Sequence, residues 1–319
     1  MDVVCVGILV ADIFSSPVDA VPAAGELKLA ERFLLSAGGC AVNTAACLRR
    51  LGKQVRVVGK VGRDLFGDFV VRDLERLGMD ASSVKRSETH PTSGTFILNV
   101  KGEDRRYIHL MGANADLSAE DIELDALEGA RVLYVGGYLA LPKLGAAGVA
   151  RVFREARKRS MKTVLDVIVA AGLKASMEEI EGVLPYTDVF LPNQDEARVL
   201  TGEGEAAAQA ERFARLNPEC TVVITRGARG VLARRGDDVV EAGSYRMETV
   251  DESGAGDAFS AGVVTGLLEG WDLERTLRFA SAVGASCTRA LGCTDGVFSY
   301  QEAAAFAEGN ALEMRRVRV

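Results

Sequence analysis

The heptad Asp251-Glu252-Ser253-Gly254-Ala255-Gly256-Asp257 opens an apolar run, "AFSAGVVTGLLEG", that carries no further charge until Glu269. The run has the length of a buried helix, so the heptad predicts a helix start. A helix N-terminus exposes unpaired backbone N–H groups and the positive end of the dipole. Glycines there remove Cβ atoms and let an anion approach the backbone closely. A carboxylate at Asp257 would repel a bound phosphate. It fits if it faces an incoming hydroxyl as a base, with the N–H groups of Ala255, Gly256 and Asp257 stabilising a transferring phosphoryl group. The heptad fits equally well an ordinary first-turn acid on a helix dipole. Ala258, Gly262 and Gly266 recur every four residues, and this smooth face is expected to lie against a sheet.

Other residues with chemistry are spread along the chain. In "GGCAVN", Gly38 and Gly39 would let a polyol reach backbone N–H groups, and Asn43 can both donate and accept towards vicinal hydroxyls. The same pattern also describes a plain glycine loop entering a helix. Asp12 follows the first apolar strand, and ligands of open α/β sheets gather at strand ends; a turn aspartate is the alternative. In "PNQDE", Asn193 and Glu196 have the spacing of a helix capping box. Thr225 and Gly227 follow the strand "TVVI", where the glycine also suits a tight turn. Asp64 in "VGRDLFGD" is expected to cap the next helix. The chain contains neither a P-loop nor a G-x-G-x-x-G after its first strand, which removes support for those nucleotide folds.

The elements that must hold these residues are legible in the rhythm of the sequence. Short β-branched runs ("DVVCVGILV", "VRVVGKVG", "ARVLYVGG", "KTVLDVIV", "TDVFLP", "CTVVITRG") alternate with helix-like segments across 319 residues of 48% hydrophobic content. That alternation predicts an α/β domain with a parallel sheet covered on both faces. Two segments, 11–35 and 89–112, break the rhythm. The second reads as a hairpin, "SGTFILNV" and "RRYIHLM" about the turn "KGED". They are expected to form a small β-sheet outside a main domain of residues 1–10, 36–88 and 113–319; an antiparallel extension of the main sheet is the alternative. Arg105 and Arg106 on the hairpin fit an anion contact or a charged edge strand, and His109 fits the site or the sheet surface. The balance of 38 basic and 45 acidic residues, net −7, argues against nucleic acid as the partner. The six cysteines form no C-x-x-C pair and only two histidines occur, which argues against structural zinc and for a reducing, cytoplasmic setting. "MDVVCVGILVADIF" lacks a basic leader and reads as a buried first strand, and no apolar run is long enough for a membrane span.

"DESGAGD", "GGCAVN" and "PNQDE" together resemble the ribokinase-like (PfkB) family of carbohydrate kinases, over essentially the whole chain. The resemblance implies a three-layer α/β/α ribokinase-like domain with a small β-sheet lid, and transfer of the γ-phosphoryl group of ATP to a hydroxyl, usually a hydroxymethyl, of a small sugar. It makes Asp257 the catalytic base and Gly254, Ala255 and Gly256 the anion hole. Asp12, Gly38, Gly39 and Asn43 become acceptor ligands, and Asn193, Thr225 and Gly227 line the nucleotide. Mg2+ is expected near Glu196, reached through water. Asp251 and the Ser253 carbonyl, with "TRALGCTDG", resemble a monovalent-cation (K+) site of some members. Glu252 departs from the usual threonine and adds charge near the phosphates. A homodimer paired through the lid strands is implied as well. The alternatives are a nucleoside kinase of the same family, or a sugar-binding regulator without catalysis.

Overall fold

The computed structural model describes residues 1–103, 106–170 and 172–318; Arg105 lies outside them. In chain order, the first half of the described residues forms β1 (Val3–Gly7), β2 (Val10–Ser15), β3 (Phe33–Gly38), α1 (Cys40–Arg50), β4 (Val55–Gly62), α2 (Leu65–Arg76), β5 (Asp80–Ser87), β6 (Gly94–Leu98), β7 (Arg106–Leu110), β8 (Val132–Gly136) and α3 (Gly145–Lys158). Then follow β9 (Lys162–Leu165), α4 (Met177–Glu181), β10 (Val189–Phe190), α5 (Gln194–Thr201), α6 (Ala206–Ala214), β11 (Thr221–Thr225), β12 (Val231–Arg235), β13 (Asp238–Ala242), α7 (Ala255–Glu269), α8 (Leu273–Cys287), α9 (Tyr300–Gly309) and β14 (Met314–Arg318).

The main sheet has the order β14-β13-β12-β11-β10-β9-β8-β1-β4-β5. Its central strands are apolar without alternation because helices cover both faces; every residue of β1 and of β8 is buried. One face packs against α1, α2, α7, α8 and α9, the other against α3, α5 and α6. The sheet is parallel from β5 to β11, but β12, β13 and β14 run antiparallel at one edge. This corrects the all-parallel expectation. "CTVVITRG" leads into a hairpin, not a helix, because Gly227 (φ 57°) and Gly230 (φ 81°) turn the chain back and Arg226 N–H donates to the Gly230 carbonyl at 2.8 Å.

A second correction concerns α7. Its glycine face meets a helix and not the sheet. A Cβ on Gly262 would lie 2.5 Å from the Ala280 Cα, and one on Gly266 would collide with Thr276, so these glycines set the close approach of α8. α7 is apolar on nearly all sides because it is enclosed, with α1 a further neighbour.

The second sheet is separate, with order β3-β2-β6-β7. β2 pairs antiparallel with β3 and parallel with β6, and β6 and β7 form the expected hairpin. On one face, Ala11 and Ala37 join the core cluster that includes Val70 and Leu74 of α2. Farther out on that face, Phe33, Leu35, Phe96, Ile108 and Leu110 are exposed. Polar groups lock the junction of the two sheets. The buried Asn114 side chain accepts from Leu9 N–H at 3.0 Å and donates to the Leu9 carbonyl at 3.1 Å. Asp64 caps α2 through Gly67 N–H, as its sequence position predicts, and also accepts from the Thr92 N–H and hydroxyl at 2.7 and 2.6 Å. Lys60, on β4, reaches both Asp116 and Asp121, and Asp116 also holds Lys143 and Ser87. Those contacts, led by Lys143, hold the Asp116 carboxyl well below its ordinary range.

Candidate active site

The parallel strands end on one side of the main sheet, and the singled-out residues collect there. Gly254 is the N-cap of α7, in the left-handed region at φ 75°. A side chain there would collide with the Cys293 backbone, so only glycine fits. The first ladder bond of α7 runs from Ala258 N–H to the Gly254 carbonyl at 2.8 Å. The N–H groups of Gly256 and Asp257 precede it and have no protein acceptor among the described residues. Gly256 is exposed and a Cβ there would meet nothing within 4 Å. The first turn of α7 therefore faces open space with free amides. Asp251 shapes the turn: its oxygens accept from Ser253 N–H at 2.9 Å and Gly292 N–H at 3.0 Å, tying the heptad to the late loop. The Ser253 carbonyl accepts from the Cys287 thiol at 3.3 Å, and Glu252 is exposed.

Asn43, buried in the second turn of α1, donates from Nδ2 to Asp257 Oδ2 at 2.9 Å. Its Oδ1 is buried without a partner among the described residues. Gly39, at φ 93°, is the N-cap of α1, and a side chain there would strike the Ile8 carbonyl. A Cβ on Gly38 would overlap the Asp12 carboxylate and lie 3.7 Å from Asn43 Oδ1. Asp12, Gly38, Asn43 and Asp257 are thus one contiguous group. Asp12 sits two residues inside β2, on the small sheet, rather than at the end of β1.

Asn193 and Glu196 form the predicted capping box of α5: Asn193 Oδ1 accepts from Glu196 N–H at 2.9 Å, and Glu196 Oε2 from Asn193 N–H at 2.8 Å. Thr225 bridges to Asn193 at the next strand end, its N–H donating to the Pro192 carbonyl at 3.2 Å. Gly227 is exposed in the following turn, and a Cβ there would point into open space.

Electrostatics bind these groups into one field. Burial pushes Asp257 up to about 6, against the Asn43 and Cys40 hydrogen bonds, and the Asp12 charge adds to the rise. Burial likewise lifts Asp12 to about 6 and Glu196 to about 7, the latter helped by the charge of Asp257. Sequence reasoning missed one member. Asp166, directly after β9, feels the charges of both Asp257 and Glu196; burial and then those two charges push it well above the carboxylate range, while Gly137 N–H donates to its Oδ1 at 3.1 Å. Only its place at a strand end could have marked it. Among the described residues none of Asp166, Glu196 and Asp257 has a salt-bridge partner, and no group of three or more His, Cys, Asp or Glu is arranged to hold a metal ion on its own. Likewise, no described helix is long and apolar enough to cross a membrane.

The model described as "pfkB family carbohydrate kinase" matches residues 1–298. The ribokinase of Bacillus subtilis is 30% identical over 282 residues, covering 88% of this chain and 90% of that protein. The solved ribokinase of Thermotoga maritima superimposes with a TM-score of 0.80 at 26% identity, over 96% of this chain and 99% of that one. The Arabidopsis thaliana ribokinase solved with ribose and ATP gives a TM-score of 0.80 at 23% identity, over 96% and 98% of the two chains, a likeness of fold.

Proposed function

From the premise that the chain belongs to the pfkB family of carbohydrate kinases and is an ATP-dependent sugar kinase, we propose that it phosphorylates a hydroxymethyl group of a small neutral sugar with Asp257 as general base. The acceptor lies over Gly38 and Gly39. Asp12 accepts from its hydroxyls, and the unpartnered Asn43 Oδ1 takes one more. The reacting hydroxyl gives its proton to Asp257, and the free amides at the start of α7 receive the negative charge of the transferring phosphoryl group. The nucleotide runs along Asn193, Thr225 and Gly227. Mg2+ bound with ATP supplies charge neutralisation on the phosphates. The chain's residues fit an ion carried by the nucleotide rather than by a protein cage: Glu196 and Asp166, without salt-bridge partners among the described residues, would reach it through water. The small sheet acts as a lid that excludes water from the reacting groups. A second copy covers its exposed outer face in a homodimer. Asp251 and the Ser253 carbonyl would be the ligands of a K+ ion stiffening the turn that the Asp251 hydrogen bonds already shape.

The observation that carries this reading is the 2.9 Å bond from Asn43 to Asp257, which joins the acceptor side to the base while leaving Asn43 Oδ1 unused. The test is ADP release with Mg2+ and ATP across pentoses, ketohexoses, sugar acids and nucleosides. Acceptor-dependent ADP with a neutral sugar supports the reading. Turnover with nucleosides alone would move the chain to the nucleoside kinases, and ADP release independent of every acceptor would remove the acceptor site.

A further inference from the structure

The inner face of the small sheet carries a polar row at a single register level. Asp12 is paired with Ser36 on β3 and with Thr95 on β6, and Thr95 is paired with His109 on β7. Residues paired in this way point to the same face, and Asp12 fixes that face as the one turned to Gly38 and Asn43. The Thr95 hydroxyl lies 3.1 Å from His109 Nδ1, and as the register partner of Asp12 it faces that carboxylate and favours its charged form. Proton supply gives this chain a direction. An ionised carboxylate only accepts, so the Thr95 proton goes to Asp12. The Thr95 oxygen then accepts, and His109 must carry its proton on Nδ1. His109 is exposed on its edge strand, and the partial desolvation of its ring lowers its pKa, so the ring is neutral at neutral pH and Nε2 is left with a lone pair.

We propose that His109 is a specificity-determining residue of the acceptor site, presenting Nε2 as a hydrogen-bond acceptor to a hydroxyl at the end of the acceptor remote from the phosphorylated carbon. The inference rests on the acceptor site proposed above and deepens it. His109 stands two strands from Asp12, roughly 10 Å across the sheet, so it reads the far end of a polyol and not the reacting end. A hydroxyl has a proton to give there. A carboxylate has none, and its charge would face a lone pair. The row therefore selects neutral sugars over sugar acids, with Thr95 acting as a positioning residue that fixes the tautomer.

The experiment has two arms. The chain has only two histidines, so 15N imidazole spectra of the labelled protein are assigned by comparison with His109→Leu. The expected result is a His109 ring protonated on Nδ1, changing to the Nε2–H form in Thr95→Val. The second arm measures ADP release with D-ribose, D-fructose and D-gluconate. His109→Leu should raise KM for the sugar that is turned over by about three- to ten-fold, the scale of one neutral hydrogen bond. It should leave kcat and the ATP KM within about two-fold, and His109→Gln, whose amide oxygen can accept, should recover part of the loss. A wild-type ring protonated on Nε2, or an unchanged sugar KM in His109→Leu, overturns the proposal. Failure of all three probes to release ADP counts against the acceptor site itself, and the tautomer then decides the role of His109 alone.

Discussion

Replacing Asp257 by asparagine should make the ligand-free protein more stable. Burial lifts the Asp257 carboxyl from 3.8 to about 6. An acid with a raised folded pKa holds its proton more tightly when folded, so its ionised form costs stability. The cost grows as pH rises from the unfolded value through the folded one and is complete above about 6. Two units at about 1.4 kcal/mol each set a ceiling of about 3 kcal/mol. The side chain is partly exposed, and solvent reduces this to about 1–2 kcal/mol. Asparagine keeps an oxygen for Asn43 Nδ2 and carries no charge among Asp12, Asp166 and Glu196. At about 2 °C per kcal/mol for a chain of this size, the melting temperature should rise by about 2–4 °C. The assay is calorimetric melting of wild type and variant from pH 4.5 to 8 without ligands. The difference should be largest above pH 6.5 and shrink towards pH 4.5. A variant that melts lower than wild type at pH 7.5, or a difference that grows on acidification, would refute the reasoning.

Other outcomes separate the roles of neighbouring residues. Gly256→Val should fold normally, since a Cβ meets nothing there, yet lose about ten- to a hundred-fold in kcat by obstructing the amides; an unchanged kcat would show that no phosphate approaches that turn. Gly254→Ala should instead destabilise the protein by about 1–3 kcal/mol, because φ is 75° and the Cys293 backbone blocks the side chain, which thermal melting checks. Asp12→Ala should weaken acceptor binding about ten- to a hundred-fold, the loss of hydrogen bonds to a charged group, with ATP-analogue affinity unchanged in calorimetric titration; equal loss of both ligands would point to a damaged fold. Lys60→Met should cost about 3 kcal/mol in urea unfolding, because Asp116 and Asp121 lose a buried partner.

Local signals were the ones the sequence carried well. The Asn193–Glu196 box, the Asp64 cap and the glycine start of α7 each depend on residues within a few positions of one another, and each stands where the pattern puts it. The two segments that broke the βα rhythm do form a second sheet, since hairpin and alternation signals are also local. Long-range choices were hidden. Nothing within α7 tells whether its glycine face meets a strand or α8; the partner residues Thr276 and Ala280 lie beyond the helix. The antiparallel edge was missed because "CTVVITRG" reads like the earlier parallel strands, and only the two glycines of its turn reverse the chain. Asp166 has no motif around it and gains its perturbed carboxyl from Asp257 and Glu196, which are distant in sequence. The Lys60 network joins residues from β4, β5 and the β7–β8 and β8–α3 connections, and no spacing announces it.

Single-turnover phosphoryl transfer bears most directly on the role of Asp257. Enzyme preloaded with Mg2+ and radiolabelled ATP is mixed with the sugar identified by the ADP-release screen, quenched at intervals, and assayed for labelled sugar phosphate. Binding and product release drop out of this rate. Asp257→Asn should bind the same fraction of ATP as wild type and transfer the phosphoryl group about 10²–10⁴ times more slowly, the size of a general-base contribution. Transfer at the wild-type rate would contradict the account.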